Sequence, residues 1–108
     1  MIKQFTIADF PFYRSKAFLD FVRNQPCIVC GDRAEPHHAF GKVIGKKGSD
    51  LFCVPLCRGH HNEIERLGLK GFEEKHPVCV MTASLTVMGR YIINLENSLN
   101  GGNENDYD

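Results

Sequence analysis

Residues 50–64 read DLFCVPLCRGHHNEI, and about thirty positions earlier residues 27–30 read CIVC. The run Leu51 to Leu56 has the length and apolar character of a buried strand. Beyond Cys57, RGHHNEIERLGL is helical in character, with Ile64 and Leu67 three apart and Gly68 as a stop. Cys27 and Cys30 form a C-x2-C pair on a tight turn supported by Gly31, and Cys57 with His60 forms C-x2-H at the helix's opening turn. Two such pairs make one tetrahedral zinc site, a stronger signal than a lone C-x2-C, which an ordinary redox dithiol also satisfies. Two substitute ligands stand nearby, Cys53 four before Cys57 and His61 next to His60. Cys53 is the poorer choice, because on the strand it stands apart from the turn that holds the others. It and Cys79 are expected as small core residues.

Working outward, Ser15 is placed as an N-cap of a short helix, KAFLDFVRN, with Phe18, Leu19 and Val22 on one face and Pro26 past its end. Residues 34–40 are expected as an earlier strand, the first in chain order. The segment from Gly41 to Gly48 is a loop carrying Lys42, Lys46 and Lys47 and no acid. A helical turn is expected from Gly71 to His76. Met81, Leu85, Met88, Ile92 and Leu95 recur at spacings of three and four, which predicts a final amphipathic helix whose apolar face packs on the rest. Residues 1–14 read as an arm with apolar anchors, and the polar tail 99–108 as a disordered acidic segment.

The whole is expected to be one α+β domain over residues 1–98: a small zinc-stabilised core with flanking N- and C-terminal helices. At 108 residues a structural metal is a natural supplement to a modest core. A 43% hydrophobic and 24% charged composition excludes collagen-like, wholly disordered and coiled-coil chains. No apolar run reaches the roughly 18 residues of a membrane span, and the N-terminal segment lacks the apolar stretch of a signal peptide. A cytoplasmic location with reduced thiols is expected, which turns five cysteines toward metal ligation rather than disulfides. Thirteen basic and thirteen acidic residues cancel, but Glu104, Asp106 and Asp108 crowd the end, so the folded part is mildly basic.

Zinc explains at most one of five histidines. His37 and His38 are adjacent on the first strand and so point to opposite faces: one can bind a metal while its neighbour meets a different target. His61 and Glu65, four apart on a helix, share a face as a second candidate ion site. His76, before Pro77, has no such company and is read as structural.

The order CIVC, EPHH, a Gly and Lys loop, then DLFCVPLCRGHHNEI resembles the HNH, or ββα-metal, nuclease superfamily with a treble-clef zinc knuckle. From Pro26 to His76 it is similar to small phage-encoded nucleases that work beside a recombinase. The resemblance implies a metal-dependent DNA endonuclease with DNA, and a RecA-type recombinase filament, as partners. It assigns His38 as the first motif histidine and general base, His37 and His61 as ligands of a catalytic divalent ion, Mg or Mn, and Glu65 as a further ligand. The motif asparagine is missing, Phe52 standing in its place, and Asp50 slightly earlier takes its orienting role. Lys42, Lys46, Lys47 and Arg58, with Arg66 beside them, then meet the DNA backbone. The competing reading is a zinc-stabilised DNA- or protein-binding module without catalysis, in which the extra histidines are incidental.

Overall fold

In the computed structural model, residues 12–40 and 47–100 are described. The element order is α1 (Lys16–Arg23), β1 (Glu35–His38), a 3-10 turn (Asp50–Phe52), β2 (Cys53–Leu56), α2 (Arg58–Lys75) and α3 (Val80–Leu99). Among the described residues the protein is thus a small α+β fold of three helices and one two-stranded sheet. The two strands are antiparallel, with His37 opposite Val54 and His38 opposite Cys53.

β2 is buried along its whole length and serves two cores, because alternate residues of a strand face opposite sides. Val54 and Leu56 pack with Cys27, Ile64, Phe72 and Val80 on one side. Cys53 packs on the other with Phe18, Val22 and Val87. Burial, with the charge of Asp50 adding to it, pushes the Cys53 thiol up to about 12, so it behaves as a small apolar residue, as expected. The knuckle is tied to this strand by the Ile28 N–H, which donates to the Pro55 carbonyl at 3.0 Å.

Ser15 caps α1 through its Oγ, which accepts from the Phe18 N–H at 3.1 Å. Phe18 and Phe21 receive the ring of Tyr91 edge-on, at 5.1 and 5.3 Å between centroids, and so fasten α1 to α3. The strands are shorter than expected: a 3-10 turn occupies Asp50 to Phe52 because the Ser49 hydroxyl accepts from the Leu51 N–H. The helix after Cys57 breaks at Gly68, whose φ of 78° suits glycine alone, and then resumes to Lys75.

Two expectations fail. Cys79 is exposed rather than in the core, and its sulfur caps α3 by accepting from the Thr82 N–H. The face of α3 that packs inward carries Val80, Ser84 and Val87, one position before the predicted stripe. Leu85 and Ile92 are exposed. Both stripes satisfy helical spacing, and periodicity alone cannot choose between faces 100° apart. Among the described residues, no single helix is long and apolar enough to cross a membrane.

Candidate metal centre and histidine cavity

The knuckle and the first turn of α2 bring Cys27, Cys30, Cys57 and His60 together, their ligand atoms all within 4.8 Å of one another. Zn–S bonds of about 2.3 Å and Zn–N bonds of about 2.0 Å in a tetrahedron require S···S edges near 3.8 Å and N···S edges near 3.5 Å. Cys30 Sγ and Cys57 Sγ are 3.8 Å apart. His60 Nδ1 lies 3.6 Å from Cys27 Sγ and 3.2 Å from Cys57 Sγ. The donor set therefore fits zinc. Burial works to raise the Cys27 thiol, but N–H groups of Cys30, Cys57 and Val29, with His60, bring it down to about 6. The Asp32 N–H works downward on Cys30, where desolvation and the neighbouring sulfurs of Cys27 and Cys57 prevail and push it to about 11.

Behind the knuckle, His76 is bonded to Glu63, which also holds Lys75. Lys75 and then His76 lower the Glu63 carboxyl to about 2. The His76 ring lies 5.0 Å from that of His60, and His60, Glu63 and His76 bring their ligand atoms within 4.8 Å of one another, so His76 is not without company. Its carboxylate partner sits thirteen positions away across the Gly68 break, a separation at which helical spacing gives no signal.

The other histidines gather at a cavity of about 300 Å³ lined by His37, His38, His61 and Glu65, with Arg23 and Lys47 among its walls. His37 and His38 both line it but meet different partners. His37 turns to α2, its ring 4.9 Å from that of His61, and forms with His61 and Glu65 a group of three ligand atoms within 4.8 Å. His38 turns to the 3-10 turn, where its Nε2 lies 2.7 Å from Asp50 Oδ1. Asp50 is buried; its Oδ2 accepts from the Ser15 N–H at 2.7 Å, and Oδ1 lies 3.5 Å from Arg14. Arg14 also donates to the Gly48 carbonyl at 2.6 Å, fixing the end of the loop that precedes Asp50.

Glu35 is the residue that motif reading passes over. It bonds His61 through Nδ1 and takes Arg58 at 3.1 Å, and the His61 contact, above all, lowers its carboxyl below the usual range. The signal was present: Glu35 and His37 are two apart on β1 and so share a face. With Nδ1 committed, His61 offers Nε2, which lies 3.9 Å from Glu65 Oε1. Carboxylate support of this kind orients metal-binding imidazoles. Of the basic residues singled out, Lys47 lines the cavity, Arg58 is engaged with Glu35 on the surface, and Arg66 is exposed. Lys42 and Lys46 lie outside the described residues.

Fold and site together define a small α+β protein with a Cys3His cluster suited to a structural metal and a separate group of histidines and carboxylates around a cavity. The chain belongs to the DUF968 family, whose model, described as a protein of unknown function, matches residues 9–89. It is similar to "Uncharacterized protein YdfU" of Escherichia coli (strain K12), with 45% identity over 60 residues. That match covers 52% of this chain and 17% of the relative, so the chain spans about a sixth of the length of the relative it matches. No solved structure matches.

Proposed function

We propose that this protein is a metal-dependent DNA endonuclease of the HNH type, its antiparallel strands and α2 forming a ββα-metal core braced by zinc at the knuckle. The observation that carries the reading is the division of labour on β1. His37 joins His61 and Glu65 as a ligand group, while the adjacent His38 is bonded to Asp50, and all but Asp50 line one cavity.

A carboxylate only accepts hydrogen bonds, so Asp50 holds the proton of neutral His38 on Nε2 and leaves Nδ1 as the basic nitrogen. His38 in this state removes a proton from an attacking water as it approaches the phosphorus. His37, His61 and Glu65 would hold a divalent ion, and three ligands of mixed nitrogen and oxygen type suit Mn or Mg with water completing the shell. Such an ion, when bound, supplies charge neutralisation on the phosphate and stabilises the leaving oxygen. Glu35 keeps His61 turned toward this position. Lys47 and Arg23 at the cavity wall place positive charge beside the DNA backbone. Action beside a RecA-type recombinase filament belongs to the same proposal.

Zinc-loaded protein incubated with supercoiled plasmid and with single-stranded DNA should cut only when Mg or Mn is added. His61→Ala should raise the concentration of metal required while DNA binding and zinc persist. Failure to cut either DNA with any divalent ion, with or without a recombinase filament, would leave a zinc-stabilised binding module as the correct reading.

A further inference from the structure

The guanidinium of Arg14 bonds mainly to backbone. Its Nη2 donates to the Lys47 carbonyl at 2.9 Å and its Nη1 to the Gly48 carbonyl at 2.6 Å. Nη1 also reaches the Tyr13 carbonyl at 3.2 Å and stands 3.5 Å from Asp50 Oδ1, an ion pair rather than a close bond. Gripping two successive carbonyls takes a rigid planar fork, which arginine has and lysine lacks. Gly48 is buried, while Lys47 is exposed and lines the histidine cavity. The course of the backbone from which Lys47 meets that cavity is therefore set by a residue 33 positions away. Asp50 depends less on the guanidinium. Its N–H donates to the Tyr13 carbonyl at 2.9 Å and its Oδ2 accepts from the Ser15 N–H at 2.7 Å, both from backbone that remains whatever side chain stands at position 14.

We propose that Arg14 is a positioning residue for the substrate: it acts through Lys47, holding that ammonium at the cavity wall to meet a DNA phosphate. This rests on the nuclease reading and adds to it a residue that belongs to neither ligand group and is not the base. Loss of the fork frees Lys47 to swing away from the cavity, while the Tyr13 and Ser15 bonds keep Asp50 beside His38. The Arg14 side chain is itself 46% exposed, so a phosphate contact made by Arg14 directly is the competing role. Exchange for lysine separates the two, because it keeps the charge and removes the fork.

Fluorescence anisotropy of labelled DNA with the full zinc-loaded chain, repeated across a range of salt concentrations, tests the proposal. Lys47→Ala should reduce the slope of log K against log salt by about 0.9, one phosphate contact, and so weaken binding about eightfold at about 0.1 M salt. Arg14→Lys should reproduce both changes, and the double variant should bind within about twofold of either single one. In cleavage of the same DNA with Mn, the loss should fall on KM rather than on kcat. Parental affinity and slope in Arg14→Lys, losses that add in the double variant, or an Arg14→Lys chain that circular dichroism shows unfolded would overturn the proposal, and a parent that cuts DNA in the same experiment leaves the nuclease reading standing. A parent that neither binds nor cuts DNA would refute the nuclease reading and this proposal with it.

Discussion

Asp50→Asn exchanges one oxygen for an amide nitrogen, and the surroundings dictate which. Ser15 N–H and Arg14 are obligate donors, at 2.7 and 3.5 Å, so the side-chain oxygen must stay with Ser15 and the new NH2 must turn to His38 Nε2. His38 can accept that bond only by moving its proton to Nδ1, which removes the basic nitrogen assigned to the attacking water. The structural cost is the loss of a charged acceptor beside Arg14 and a weaker bond to Ser15, about 1 to 3 kcal/mol, or a fall in Tm of roughly 5 to 15 °C. The catalytic cost is larger, about 10²- to 10⁴-fold in the cleavage rate. Long-range 15N NMR of the His38 ring reports the tautomer directly, beside single-turnover cleavage and thermal melts on the same samples. Asp50→Ala is the contrast: it removes the acceptor shared by Ser15 N–H, Arg14 and His38 and destabilises more, yet leaves His38 free to keep its proton on Nε2. A folded Asp50→Asn variant that cleaves within about threefold of the parent, or keeps the parental tautomer, would refute the reasoning.

Cys30→Ser removes one corner of the tetrahedron, and because zinc binding in such a site is part of the folding free energy, metal analysis and circular dichroism should show loss of zinc and fold together. Phe72→Ala, fully buried between β2 and His60, should cost about 3 to 5 kcal/mol in urea unfolding, while Leu85→Ala should cost under about 0.5 kcal/mol. Glu63 is held at about 2, below its unfolded value near 4.3, so its contribution to stability is present above that value and is lost as pH falls toward 2. The gap in denaturation midpoint between parent and Glu63→Gln should therefore be large at about pH 5 and shrink below about pH 4.3.

The parts of the fold that a short spacing encodes were readable. Ser15, the C-x2-C turn and the C-x2-H helix start each depend on neighbours within four positions, and each stands as expected. His37 and His38 meet different partners, yet both line one cavity instead of facing opposite sides. What failed depended on tertiary choice. The stripe through Leu85 and Ile92 has ideal helical spacing, but β2 and α1 accept the smaller Val80, Ser84 and Val87 instead. Cys79 looked apolar by type, yet its place before Val80 makes it a cap. Asp50 reaches His38 only because Ser15 and Arg14 close over it from α1's leading end, more than thirty positions away. No local pattern records that contact. Glu35 lay within the motif itself, where attention to the two-residue period of β1 finds it beside His37.

On the proposed mechanism, His38 acts on a water beside an ion held by His37, His61 and Glu65. Nicking of supercoiled plasmid by zinc-loaded parent and His38→Ala, each titrated with Mn, tests it most directly. His38 is a member of neither ligand group, so the variant should fold, keep zinc, bind DNA and require the same Mn concentration, yet cut about 10² to 10⁴ times more slowly. A His38→Ala protein that cuts as fast as the parent, or a parent that cuts nothing, would contradict the account.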